Sequence, residues 1–185
     1  YAGQSKNWVV EQGSALDTAY LKQLGTFDYV YSWGVLHHTG EMWSAIENAR
    51  LRVKPEGILF IALYNDQGFQ SKVWTVIKQV YNFLPVFLRP IFLIPFVVYF
   101  IVPRMIIDTF RGRPLYKIRT YSSLRGMSVW HDIVDWVGGY PFEVAKPEQV
   151  CDYFLSRGFT LKKIKTVGGR LGCNEFVFQL AQSSS

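Results

Sequence analysis

Residues 27–64 read FDYVYSWGVLHHTGEMWSAIENARLRVKPEGILFIALY, and few folds accommodate that pattern. Phe27 to Ser32 is an aromatic and β-branched run, which suits a buried parallel strand. Trp33 to Gly40 is a loop carrying two histidines. From Glu41 to Val53, apolar residues at Met42, Ala45, Ile46, Ala49 and Val53 follow helical spacing. Lys54-Pro55-Glu56-Gly57 supplies the breakers that stop this helix. Ile58 to Tyr64 is almost wholly apolar and reads as a strand buried on both faces. Strand, helix and strand in this order make a right-handed parallel crossover. Ligands bind such sheets at the carboxyl ends of the strands, and the histidine loop lies at one of those ends.

The flanking residues extend the pattern. Trp8 to Glu11 is a strand candidate, and Asp17 to Leu24 a short helix ended by Gly25. Strand, helix, strand, helix, strand indicates an α/β fold with a parallel sheet. Near the end, Lys146-Pro147-Glu148 opens a helix that stops at Arg157-Gly158. Phe159 to Val167 and Asn174 to Leu180 read as an antiparallel strand pair across the loop 168–172.

Between these parts the composition changes. Ser71 to Phe83 has helical spacing, and Phe83 to Ile107 is overwhelmingly apolar. The uncharged run between Arg89 and Arg104 is 14 residues long, short of the ~20 a membrane-spanning helix needs. Pro95 and Pro103 are expected to kink or end a helix there. The segment therefore reads as a buried or interfacial helical cap. From Arg104 to Arg125, six basic residues stand against Asp108, so this stretch supplies +5 of the net charge of +6. It reads as basic and turn-rich, and attracts phosphate or an anionic membrane face. Few stacking aromatics interleave with the basic residues, and no N/D-P-P-Y/F tetrapeptide is present, which weighs against nucleic acid. Ser128 caps a further helix through Trp136, ended by Gly138-Gly139.

Cys151 and Cys173 form no CxxC pair, so neither a disulfide framework nor a zinc site is expected, and the usage fits a reducing cytoplasm. No signal peptide is visible. The chain opens at Tyr1 without a starting Met and reads as a piece of something longer.

The central residues resemble the second half of a class I S-adenosylmethionine-dependent methyltransferase. The likeness rests on Phe27-Asp28, on Ser32-Trp33-Gly34-Val35-Leu36-His37-His38, and on Val53-Lys54-Pro55-Glu56-Gly57-Ile58-Leu59-Phe60-Ile61. Glu11 to Asp17 resembles that family's adenine-side loop. Residues 126–150 and 168–178 resemble a bacterial subset of it. The family's first strand, its glycine-rich loop and the ribose-binding acidic residue have no counterpart, so the chain reads as the carboxyl-terminal two-thirds of an enzyme. The implied fold is a partial Rossmann-like methyltransferase sheet, incomplete over 1–185, with a helical cap inserted at about 66–143. The implied cofactor is S-adenosyl-L-methionine.

The resemblance assigns Gly13, Ser14 and Ala15 to the adenine side, and Ser32, Trp33 and Gly34 to the methionine side of the cofactor. Methyl transfer to an O–H or N–H acceptor needs positioning and a base, and histidine titrates in the right range. His37 and His38 are candidate bases, with His38 placed marginally ahead. His131 and Asp135, at i and i+4 on one helix face, are a second candidate as a His-carboxylate dyad. For each histidine a purely structural role is the alternative. Tyr64, Asn65, Arg119, Arg125, Asp132, Tyr140 and Asn174 are candidate substrate contacts. The spacing demands no metal.

Together these residues imply methyl transfer to a small or amphiphilic acceptor. The apolar run would cover a lipid-linked body and the arginines an anionic head group. The cap around His131 would wall the site on one side. This places the protein in the cytoplasm, with peripheral contact at the inner face of the membrane. A different class of reading is a non-catalytic membrane-surface or lipid-binding module on a degenerate methyltransferase fold.

Overall fold

The computed structural model describes residues 9–126 and 128–182, and only the backbone of Leu124 and Arg125. In chain order the first elements are α1 (Thr18–Gln23), β1 (Phe27–Trp33), α2 (Met42–Arg50), β2 (Val53–Tyr64), α3 (Phe69–Phe83) and α4 (Arg89–Phe110). Then follow α5 (Tyr116–Arg119), α6 (Tyr121–Arg125), α7 (Val129–Gly138), α8 (Pro147–Leu155), β3 (Phe159–Lys165) and β4 (Cys173–Leu180). They fall into two compact units, Tyr1–Gln67 with Glu143–Ser185, and Gly68–Phe142.

The first unit is a mixed sheet in the order β1-β2-β4-β3. β1 and β2 run parallel, and β4 runs antiparallel to both β2 and β3. Helices α2 and α8 cover one face. Met42, Ala45 and Ile46 of α2, with Val150 and Phe154 of α8, pack on Leu59, Ile61, Leu63, Phe176 and Phe178. The alternation along β4 puts Asn174, Phe176 and Phe178 on that buried side. Phe154 stacks on Phe178 with ring centroids 4.4 Å apart.

Several expectations change on folding. Residues 9–11 form no strand, and Trp8 lies outside the described residues. The parallel strand at Phe27 forms but is not buried. As the edge of the sheet it leaves Tyr29 78% and Tyr31 71% exposed, and only Val30 reaches the core. Tyr31 instead stacks on Phe60, its neighbour in register, at 5.0 Å. Helix α2 ends at Arg50, ahead of the Pro-Gly breaker, and Lys54 to Gly57 belong to β2. They enter it as an irregularity: Phe27 pairs with Val53, and Tyr29 next pairs with Ile58. Glu56 takes a positive φ of 63° there. Gly57 has no room for a side chain, because a Cβ would stand 2.8 Å from the Lys54 carbonyl oxygen.

The second unit is helical. Tyr81, Leu93, Ile133 and Val137 form its buried core, where α3, α4 and α7 meet. Trp74 lies edge-on to Trp136 at 5.0 Å, and Phe100 also meets Trp136, at 5.9 Å. α4 runs unbroken through both Pro95 and Pro103. Each proline removes one N–H donor from the helix ladder. Both lie on the helix's exposed side. The stretch after α4 is not simply turns, since α5 and α6 form two short helices. Ser128 caps α7 as its position predicts, accepting the His131 backbone N–H.

Candidate functional site

The carboxyl ends of β1 and β2 carry the histidine loop and Tyr64. Gly34 follows β1 with a φ of +73°, and, its chain neighbours aside, no heavy atom of the described residues lies within 4 Å of where its Cβ would stand. Trp33 is half-exposed beside it. Leu36 to His38 wind into one tight 3₁₀ turn, which buries Leu36 and His37. His37 is completely buried, its ring 4.0 Å from that of Tyr64 and 4.6 Å from that of His38. His38 keeps partial exposure and stands nearly perpendicular to Tyr64 at 5.4 Å. The two histidines, equivalent in the sequence pattern, thus occupy different environments.

A strap from Glu143 to Ala145 holds this loop. The Glu143 backbone N–H donates to the His37 carbonyl at 3.0 Å, and the Ala145 N–H donates to the Tyr64 carbonyl at 3.0 Å. The Glu143 carboxylate reaches the amino end of α2, where the Met42 N–H meets its two oxygens at 3.1 and 3.0 Å. A carboxylate there satisfies an otherwise orphaned helix donor and faces the positive end of the helix dipole.

Asn65 and Asn174 meet beside the strand ends. The Asn174 amide donates to Asn65 Oδ1 at 2.9 Å, while its own Oδ1 accepts the Val167 N–H at 3.1 Å. Asn65 Nδ2 in turn donates to the Gly168 carbonyl at 2.9 Å. Asn174 is 1% exposed, so the pair pins the 168–172 loop to the end of β2.

On the adenine-side loop, the Ser14 hydroxyl accepts the Leu16 N–H at 3.2 Å. The Ala15 carbonyl accepts from Asn48 Nδ2 at 3.0 Å, and the Thr18 hydroxyl donates to Asn48 Oδ1 at 3.2 Å. Gly13 lies against Tyr20, since a Cβ there would stand 2.0 Å from the ring. An open cleft of about 480 Å³ follows this loop, lined by Leu16, Thr18, Glu41, Trp43, Glu47 and Asn48 among others. At its rim Glu47 pairs with Arg50 at 2.5 Å and accepts from the Tyr153 hydroxyl. The Arg50 hydrogen bond holds the Glu47 carboxyl down at about 2, and burial with the Glu47 contact pushes the Tyr153 phenol up to about 12. The Arg157 guanidinium lies 3.7 Å from the centre of the Tyr153 ring.

His131, Asp132, Asp135, Arg119 and Tyr140 belong to the second unit. The expected hydrogen bond between His131 and Asp135 does not form. His131 Nδ1 turns back to the capping hydroxyl of Ser128, 2.6 Å away, and Asp132 accepts from Tyr121. The Tyr140 hydroxyl accepts from Gln79 Nε2 at 3.2 Å. Arg119 is exposed at the end of α5, and the Arg125 side chain lies outside the described residues. Lys78 is 2% exposed, donates to the Trp136 carbonyl, and lies 4.9 Å from the centre of the Phe142 ring. Burial lowers its pKa to about 8, against the pull of Asp135.

Glu143, Asn48 and the Glu47 cluster were not anticipated from the sequence. Asn48 left a trace, as a polar residue at a buried position of an amphipathic helix. Glu143 left none, because its partner lies 101 residues earlier.

Neither a protein-family model nor a curated protein matches the chain. Among solved structures, PKMT2 from Rickettsia typhi in complex with AdoHcy superposes with a TM-score of 0.55 at 11% identity, over 97% of this chain and 40% of that one. An O-methyltransferase family protein from Burkholderia thailandensis gives a TM-score of 0.47 at 13% identity, over 94% of this chain and 36% of that one. The chain therefore spans well under half the length of either neighbour. At this identity the likeness shows the fold, a class I methyltransferase fold, with the sheet read from the sequence as Rossmann-like.

Proposed function

We propose that the chain is part of an S-adenosylmethionine-dependent methyltransferase acting on an amphiphilic acceptor. The observation that carries the reading is the meeting of His38 with Tyr64 where β1 and β2 end. Strand ends of this kind are where open α/β sheets bind ligands. The neighbour from Rickettsia typhi, of the same fold, is in complex with AdoHcy.

The residues fit such a cofactor in one respect that can be checked. The space beside Gly34 is open, and Trp33 stands half-exposed next to it. Ser32, Trp33 and Gly34 would hold the methionine side, and Gly13, Ser14 and Ala15 the adenine side. The bound cofactor supplies a methyl group activated on a sulfonium sulfur. His38 would accept the O–H or N–H proton of the acceptor. Its partial exposure favours it over His37, which is buried against Tyr64 and would orient its neighbour. His131, engaged with Ser128, is the weaker candidate, and Asp135 with it.

The amphiphilic acceptor is supported by a cleft of about 880 Å³ in the second unit. Val80, Phe83, Leu84 and Pro85 line it, with Gln79, Asn82 and Tyr140 as its polar groups. An apolar body with a few fixed polar contacts suits such a cleft. Arg119, exposed at the end of α5, is available for an anionic head group, while Asp132 is already engaged by Tyr121.

Calorimetric titration of the full-length protein with S-adenosylhomocysteine tests the cofactor. Binding that is lost in Gly34→Val is expected, and no binding by the native protein overturns the reading. Transfer of labelled methyl into the organic phase of a cell extract is expected for the acceptor. Label confined to water-soluble products overturns that part.

A further inference from the structure

Helix α4 has two unlike sides. Its inner side carries Phe92, Phe96 and Phe100, which meet Tyr81, Trp74 and Trp136 at 6.2, 5.9 and 5.9 Å. Only Leu93 and Asp108 in the helix are buried. The outer side shows Ile91, Ile94, Val98, Tyr99, Val102 and Ile106, each at least 41% exposed. No charge interrupts this strip, which continues to Phe110 at 89% exposure. At 1.5 Å per residue, α4 is about 33 Å long. Monomeric proteins rarely leave a continuous apolar surface of that extent to water.

The charge at its carboxyl end is of one sign. Arg111, Arg113 and Arg119 are exposed just beyond the helix. The nearby carboxylate, Asp108, is buried and accepts the Lys117 N–H at 2.8 Å.

We propose that this strip is a membrane-docking surface: α4 lies in the plane of an anionic bilayer, with its outer side chains in the acyl boundary and Arg111, Arg113 and Arg119 among the lipid phosphates. By length and composition Val86–Phe110 could cross a membrane. Two features favour lying over crossing. The inner side is committed to α3 and α7, whose Lys72, Asn82, His131 and Asp135 a crossing would carry into hydrocarbon. Pro95 and Pro103 also leave the carbonyls of Ile91 and Tyr99 without their helical donors. Water satisfies those carbonyls at the boundary and not in the bilayer centre. A second copy is the poorer occupant, because a chain of net charge +6 brings like charge to these arginines, and an anionic bilayer brings the opposite.

The surface does not depend on methyl transfer, and flotation reads it without cofactor, so loss of either reading leaves the other standing. The full-length protein is floated with vesicles of phosphatidylcholine alone and with added phosphatidylglycerol. Flotation with the anionic vesicles is expected. It should fall roughly tenfold in Arg111→Glu/Arg113→Glu and be lost in Ile94→Glu/Val98→Glu, with far-ultraviolet dichroism unchanged. Tyr99→Trp keeps the apolar surface and reads depth through brominated lipids. Stronger quenching by bromine near the head group than near the chain ends is expected. Four results overturn the proposal: no flotation, flotation indifferent to the Ile94 and Val98 changes, deep quenching at position 99, or a lipid-free dimer that those changes dissociate.

Discussion

The carboxylate of Glu143 accepts the backbone N–H of Met42, a residue 101 positions earlier, and so caps a helix on which it does not lie. Glu41, the residue at the cap position, makes no such bond through its side chain. The same Glu143 donates its own N–H to the carbonyl of His37. One residue therefore ties the start of α2 to the histidine turn.

Glu143→Ala should cost about 1–2 kcal/mol, the usual worth of a helix cap with its dipole term. Glu143→Gln keeps an acceptor and should cost less. Thermal unfolding of the three proteins checks the order, and equal midpoints would dismiss the cap.

His37 and His38 should separate on mutation. His37→Ala empties a fully buried site against Tyr64 and should destabilise by on the order of 3 kcal/mol. His38→Ala should leave the midpoint nearly unchanged and reduce methyl transfer about 100-fold, with S-adenosylhomocysteine affinity retained. Unfolding curves and turnover, measured side by side, decide between them.

Lys78 makes stability depend on alkaline pH. Its folded pKa of about 8 lies below the ordinary 10.5, so between those values the unfolded chain binds more protons than the folded one. Stability should therefore rise as pH climbs from about 8 toward 10.5, and the gain is lost as pH falls back through 8. Lys78→Met should flatten that dependence in a pH series of denaturant midpoints.

Glu47 acts at the other end of the scale. Its carboxyl is held at about 2 against an ordinary 4.5, so its stabilising share is complete above 4.5 and lost as pH falls toward 2. The side chain is partly exposed, which keeps the effect modest. Glu47→Gln should show a shallower acid limb than the native protein.

Asn174→Ala removes a buried amide that satisfies Asn65 Oδ1 and the Val167 N–H together. A loss of roughly 1–3 kcal/mol is expected. Limited proteolysis should then cut within residues 168–172 sooner than in the native protein.

Much of the fold is legible along the chain. The FDYVYS strand, the α2 pattern, the apolar run into Tyr64 and the Ser128 cap depend on near neighbours, and they form. The errors have a common source. Lys54 to Gly57 looks like a breaker until β1 pairs beside it and accommodates the irregularity. Phe27 to Ser32 looks like a core strand until its place at the sheet edge exposes it. Two prolines look like helix ends until they fall on the exposed side of α4. His131 looks like a partner of Asp135 until the capping serine engages it.

By itself, then, the order of residues determined the α/β class, the parallel crossover and the presence of two histidines at a strand end. These follow from periodicity and breakers, which act over a few residues. Tertiary structure alone decided that His37 is buried and His38 reaches solvent, that Asn174 serves Asn65, and that Glu143 caps α2. Each of these depends on a group far away in the chain, and local spacing carries no record of which distant group folding will bring near.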